Sequence, residues 1–425
     1  MVEMSQSQSH DSRNSFSRNL YDVVARHAVG SCQSQGVNMV ISPASIQSCF
    51  TLAFMGAAGS TADELRRGLN LGLGDKYNIA RAFGEFWTTN CNYGEKGPIL
   101  KSLNSLYVNN TLSLQPEFND LAKDFFRAKA ESVNFADALA VIKQINLWVE
   151  QQTDGKIKDL LQPDVVNMET SAILINALYF KGKWLKPFTP ETTLRDDFYV
   201  DLGQRVDVDM MYQEDKFKYV ELPELKARAV QLPYENSDIS MLIILPNDIS
   251  GLSSLEKMLK TVHLPDIEQR MSMEDVEIAM PKFTIEFDLD LKDILKKLGI
   301  LEIFGNKANL SLLFATKKPQ RISAAKHRGY IAVNEAGSEA AAVTFMKIVP
   351  MMLNMNKKSF KVDHPFVFYI RNNQAVFFAG RYVMPGEHRV SAIIKEECGG
   401  AANDSLHASN NTLYSKATKS VKSAK

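Results

Sequence analysis

The sequence predicts an α+β fold in which helices and strands share one domain, and three observations carry that expectation. Ser42 followed by Pro43 opens a run, "SPASIQSCFTLAFMGAAG", that is apolar on nearly all sides. A second run, "SAILINALYFKGKW", is too apolar for a strand with one wet face and reads as a central strand. From about Asp196 the chain becomes a series of short alternating segments, such as "FKYVELP", "ARAVQLPY" and "VEIAMPKFTIEF".

The elements follow in order. Helical spacing runs from Asn14 to Ala28. At Ser42-Pro43 a hydroxyl can cap a helix, and the proline sits in the first turn, where no backbone donor is needed. "STADEL" predicts another helix, with Thr61 and Glu64 spaced as a capping box. "LNSLYVNN" is a strand, and "VIKQINLWVEQQTDGKIKDLL" is an amphipathic helix stopped near Gly155. Asn176 is a polar intruder in the central strand. "DLKDILKKLGI" is helical, and two apolar strands flank an Asn-Asn turn near the end as a hairpin. No repeat or linker divides residues 14–385, so they form one domain. Residues 1–13 are expected to be a flexible N-terminus. The polar residues 386–425 are expected to be a disordered tail.

Composition excludes several function classes. Of 425 residues, 49 are basic and 49 acidic, so the net charge is zero and no nucleic-acid partner is expected. The longest apolar runs fall short of the ~20 residues of a membrane span. Four scattered cysteines, Cys32, Cys49, Cys91 and Cys398, show no metal spacing and read as unpaired thiols. The seven histidines form no paired metal motif, there is no GxSxG elbow, and "FKGKW" lacks the earlier glycine of a phosphate loop. No metal, no cofactor and no enzymatic activity are expected.

The stretch "NEAGSEAAAVTFMKIVPMMLN", starting at Asn334, fits two states. Taken alone it is a solvated loop or a frayed helical turn. Read with a period of two, Ser338, Ala340, Ala342, Thr344, Met346 and Ile348 share an uncharged face, and Glu339, Ala341, Val343, Phe345 and Lys347 share the other, left to water. A segment acceptable both outside and inside a sheet can act as a switch.

From Asn14 to Pro385 the chain resembles the serpin family. The resemblance is carried by "NMVISPASIQSCFTLAFMGAAGSTADEL", "INLWVEQQTDGKIKDLL", "ILINALYFKGKW", "AMPKFTIE", "HRGYIAVNEAGSEAAAVT", "DHPFVFYI" and "FFAGRYVMP", in family order. It implies a mixed large central sheet, smaller sheets, about eight or nine helices and an exposed reactive-centre loop at about residues 335–358. It also implies a monomeric inhibitor that traps a serine protease as an acyl-enzyme while the cleaved loop inserts into the large sheet. By the family's spacing the reactive bond is Met351–Met352, with Met352 and Leu353 as neighbouring choices for the bait, and Pro350, Val349 and Ile348 fill the adjoining subsites. The hinge is Glu335, Gly337, Ser338, Ala340, Ala341, Ala342, Val343 and Thr344. Ala336, where many inhibitory members carry a charge, and branched Val343 depart from the family pattern. Ser42, Ser45, Asn176 and His327 match a polar shutter beneath the sheet.

Physical requirements agree with that reading. Gly337 relaxes the backbone, and the small hinge residues can enter a sheet without overpacking. Ser338 to Pro350 is 13 residues, which extended spans ~43 Å, most of a body about 50 Å across. Unbranched Met351 suits chymotrypsin-like or elastase-like proteases. Lys347 would suit a trypsin-like target but shortens the inserted strand by about 13 Å. Without the resemblance, Ser42 is simply a helix cap and His327 a satisfied core histidine. A non-inhibitory role as carrier, chaperone or store is the rival reading. "NIARAFGEFWTTNCNYGEK" lacks the basic cluster of a heparin-activated member. The absence of a leader points to the cytoplasm, and the resemblance points to the extracellular space.

Overall fold

Local signals place most elements where the periodicity puts them, in a computed structural model that describes residues 6–29, 36–316, 320–338, 357–386, 389–391 and 393–394. The helices are α1 (Gln6–His27), α2 (Pro43–Gly56), α3 (Gly59–Gly68), α4 (Lys76–Asn90), α5 (Pro116–Phe126), α6 (Ala138–Gln152), α7 (Leu252–Leu259), α8 (Leu264–Gln269) and α9 (Leu291–Lys297). The strands begin with β1 (Ala28–Val29), β2 (Met39–Ile41), β3 (Ile99–Asn109), β4 (Lys129–Val133), β5 (Ala172–Lys183) and β6 (Leu194–Asp201). They continue as β7 (Gln204–Leu222), β8 (Ala227–Pro233), β9 (Ser240–Pro246), β10 (Ser272–Pro281), β11 (Phe283–Asp290) and β12 (Ile322–Asn334). The last are β13 (Gly337–Ser338), β14 (Lys358–Lys361), β15 (Phe366–Arg371), β16 (Val376–Tyr382), β17 (Arg389–Ser391) and β18 (Ile393–Ile394).

Three sheets result among the described residues. The large one has seven strands in the order β17-β11-β12-β13-β5-β3-β4. A nine-stranded sheet carries the alternating strands β7 to β10 and the β15–β16 hairpin. β1 and β18 make a two-stranded ladder. As its composition requires, every residue of α2 is buried. It lies in the main core, with alternate residues of β5 (Leu174, Leu178, Phe180) facing the same core. The intervening residues Ile173, Ile175 and Ala177 face a second cluster beneath α6. A Cβ at Gly329 of β12 would lie 2.1 Å from the Val40 carbonyl oxygen, so only glycine lets β2 pass this close beneath the sheet.

Three expectations change. α1 begins at Gln6, so the segment expected to be flexible is helical for most of its length. Its start is tied to the body by the Ser12 hydroxyl on the Asn70 carbonyl and by Arg13, which lies 4.4 Å from the Phe86 ring centre. The expected capping box does not form. α3 starts earlier, at Gly59 with φ +55°. The Thr61 hydroxyl instead accepts the Asn309 amide at 2.9 Å, and Glu64 accepts the amides of Leu301 and Glu302 at 2.9 and 2.8 Å. The expected tail, in turn, opens with paired backbone: β17 joins the large sheet and β18 pairs with β1. Residues 395–425 lie outside the described residues.

Candidate functional site: a hinge wedged into the large sheet

At the end of β12 the chain reverses. Asn334 accepts the amides of Ala336 and Gly337 on its side-chain oxygen, at 3.0 and 3.2 Å, and so templates the turn. The turn is gripped from outside: the Trp184 amide donates to the Ala336 carbonyl at 3.0 Å, the Phe188 amide to the Glu335 carbonyl at 2.9 Å, and the Trp184 indole to the Asn334 carbonyl at 3.0 Å. Ala336 is buried, so the charge that many family members carry here would have no solvent. The Glu335 carboxylate accepts from Thr193 Oγ1 at 2.8 Å and Lys282 Nζ at 3.1 Å. Partial burial pushes this carboxyl upward, but the hydrogen bonds outweigh it and hold it below the usual range. Glu335→Ala is expected to lower unfolding free energy by about 1–2 kcal/mol, read by urea denaturation, with the loss shrinking as pH falls through the carboxylate range.

Gly337 and Ser338 then run as β13 between β12 and β5. Ser338 pairs with Val333 on one side and Gly182 on the other. A Cβ at Gly337, whose φ is +148°, would meet the Gly182 carbonyl oxygen at 2.0 Å. Close backbone approach therefore demands this glycine, beyond the flexibility the sequence suggested. Ser338 is fully buried, and its hydroxyl meets the Tyr234 hydroxyl at 2.6 Å. Tyr234 in turn stacks on Trp184 at 4.5 Å. Farther down, no strand separates β12 from β5. They pair directly and in parallel, from Gly329–Leu178 through His327–Asn176 to Ile322–Ala172.

The polar cluster sits in that closed half. Register aligns His327 with Asn176 and Asn176 with Asn104, one row across three strands. The helix N-cap Ser42 donates its backbone amide to His327 Nε2 at 3.2 Å, so the ring's proton sits on Nδ1, which donates to Asn176 Oδ1 at 2.7 Å. The Asn176 amide nitrogen donates to Ser45 Oγ and Asn104 Oδ1, both at 2.7 Å. The Ser45 hydroxyl meets the Ser102 hydroxyl at 3.1 Å. All four expected members, Ser42, Ser45, Asn176 and His327, thus meet. Asn104 and Ser102 were missed, although Asn104 interrupts an apolar strand just as Asn176 does.

Burial pushes His327 down to about 3, against a weaker upward pull from the charge of Asp288. An ordinary histidine titrates near 6.5, so the unfolded chain takes up a proton that the native chain refuses. The stability tied to neutral His327 is complete above pH 6.5 and falls away as pH drops from there toward 3. Between pH 7.5 and 5.0 the loss from this group is expected to be about 2 kcal/mol. His327→Gln is expected to reduce that difference, measured by denaturant midpoints at the two pH values.

Where the rest of the anticipated loop lies is a separate matter. The expected hinge residues Ala340, Ala341, Ala342, Val343 and Thr344, the subsite residues Ile348, Val349 and Pro350, and the bond Met351–Met352 lie outside the described residues. No helix among the described residues is long and apolar enough to cross a membrane.

A large sheet opened at one end by the chain's own hinge defines a class of protein in which one strand position is partly filled. A family model for serpins, serine protease inhibitors, matches residues 11–385. The chain is 38% identical to serine protease inhibitor 42Dd of Drosophila melanogaster, over 82% of this chain and 91% of that one. It is 34% identical to the human leukocyte elastase inhibitor, over 82% and 93%. It superposes with a TM-score of 0.82 on the crystal structure of Serpin48, described as a highly specific serpin of the insect Tenebrio molitor, at 35% identity over 91% of this chain and 100% of that one. The chain belongs to the serpin family. The two relatives named above are protease inhibitors rather than enzymes.

Proposed function

We propose that this serpin inhibits a serine-type endopeptidase by acting as a suicide substrate. The observation that carries the reading is the half-open strand position: β13 occupies it at one end, and below Gly329 β12 and β5 close it. The protease's serine oxygen attacks the Met351 carbonyl carbon. The Met351–Met352 bond breaks, the new amine of Met352 leaves with the proton, and an ester joins protease to Met351. The released segment then continues β13, replacing one parallel pair by two antiparallel ones.

Continuing the register of β13 gives the inserted partners. Ser338 stands between Val333 and Gly182. Stepping down residue by residue, Ala340 falls between Ile331 and Phe180, and Ala342 between Gly329 and Leu178. Thr344 falls between His327 and Asn176. Its hydroxyl can accept from one and donate to the other, which keeps both satisfied after their mutual bond is broken. The last position opposite β5 is Ile348, facing Ala172, and Pro350 lies just past the sheet. Cleavage at Met351 therefore fills the full strand length. Cleavage at Lys347 leaves it short, which disfavours a trypsin-like bait. The face of Ala341, Val343, Phe345 and Lys347, first assigned to water, comes to lie on the side that α6 covers over Ile173, Ile175 and Ala177. Apolar Val343 and Phe345 suit that cover.

The target class is chymotrypsin-like or elastase-like, and the small, uncharged hinge favours inhibition over a carrier or storage role. The test mixes the chain with chymotrypsin, an elastase and trypsin. An adduct that survives SDS is expected with one of the first two, releasing a peptide that begins at Met352. Complete cleavage without adduct would remove the inhibitory reading.

A further inference from the structure

The strand that would be the edge of the large sheet is β11, and three facts bear on that edge. β11 alternates strictly, with Phe283, Ile285, Phe287 and Leu289 buried, so it is a regular strand with one row of backbone groups turned outward. Free charges, proline or bulges usually keep such an edge from pairing with another chain. β11 has no proline, and its acids are engaged: Asp288 and Glu286 with Arg328, the latter at 3.2 Å, and Asp290 with Lys326 at 2.8 Å. What does cover the edge is β17, which pairs in parallel through Glu286–Arg389, Phe287–Val390 and Asp288–Ser391. Immediately afterwards β18 pairs with β1 through Val29–Ile393 and Ala28–Ile394. These residues follow the last position of the family match, Pro385.

We propose that β17, anchored by the β18–β1 pairing, is a built-in edge cap: it fills a strand-docking site on β11, and its release opens that site to the same edge of a second copy of this chain. The second copy fits because β11 edges can meet antiparallel about a two-fold axis, each supplying the row of donors and acceptors the other lacks. The cap is held at two places by a few ladder hydrogen bonds each. It is therefore among the first parts of the molecule to open, and proteolysis or a competing strand acts there before the domain unfolds.

The test uses the full chain, the full chain carrying Val390→Pro, and a chain stopped after Gly386. Proline has no amide to donate and cannot sit within a ladder. In Val390→Pro the outward-facing amides among residues 286–288 are expected to exchange with solvent at least ~10-fold faster than in the parent. Both variants are expected to sediment as dimers at raised concentration. A synthetic peptide of residues 387–396 is expected to return the stopped chain to monomer, and the same peptide with proline at the Val390 position is not. Unchanged exchange at 286–288 in Val390→Pro would overturn the cap. Variants that exchange faster yet stay monomeric at every concentration would overturn the second-copy pairing. If the stopped chain does not fold, exchange and sedimentation of Val390→Pro decide both points alone.

Discussion

Cutting the loop at Met351 is expected to raise the melting temperature of the chain by at least ~15 °C. The closed half of the strand position is the reason. In the intact molecule β12 and β5 pair directly below Gly329, so the position that the proposed inserted face of Ala340, Ala342, Thr344, Met346 and Ile348 would fill is closed. Once the tether to the following strand β14 is severed, those side chains can enter the main core behind β5, and the backbone gains ladders on both sides. Each aliphatic side chain so buried contributes about 1–3 kcal/mol, and a gain of this kind appears as a higher transition temperature. Differential scanning calorimetry on intact and nicked samples measures it. Coincident transitions would mean that the intact fold stores no strain that cleavage can release, and the trapping mechanism would fall with that result.

Under the proposed trapping mechanism, Ala340→Glu is expected to turn the chain from an inhibitor into a substrate. Continued register sets residue 340 between Phe180 and Ile331, both buried, so the carboxylate would enter an apolar layer without a partner. An unpaired buried charge costs about 3–5 kcal/mol. Each 1.4 kcal/mol on the insertion barrier slows it about tenfold relative to hydrolysis of the acyl-enzyme. The ratio of SDS-stable adduct to cleaved chain should fall at least ~100-fold, while cleavage itself continues because residue 340 is not part of the proposed bait bond. Ala340→Ser, small and able to bond locally, should keep most of the adduct. An Ala340→Glu protein that still traps protease stoichiometrically would show that insertion does not follow the register of β13.

The contrast between these residues and the polar row of His327, Asn176 and Asn104 explains which features could be read early. The small, uncharged side chains at every second position of the proposed hinge are a local pattern, and of that stretch Glu335, Gly337 and Ser338 fall within the described residues. α2 was legible from a local pattern too, since Ser42-Pro43 and an all-round apolar run specify a buried, capped helix. The Thr61–Glu64 capping box failed because a rule about spacing cannot see the loop at residues 301–309, whose amides compete for the same oxygens. The start of α1 was placed late because what orders it is contact with Asn70 and Phe86, far along the chain.

Composition and periodicity thus sufficed for the mixed fold, the central strand and the terminal hairpin, since each depends on residues a few positions apart. The polar row is another matter. His327 bonds Asn176 across 151 positions, and Asn176 bonds Asn104 across 72. Their meeting depends on strand register, in which a slip of one residue would turn each side chain to the opposite face. The cover on β11 arose the same way, from a pairing between Phe287 and Val390 that no local pattern encodes. Register is settled by the packing of whole sheets against their cores, and so it became visible only when the strands were assembled.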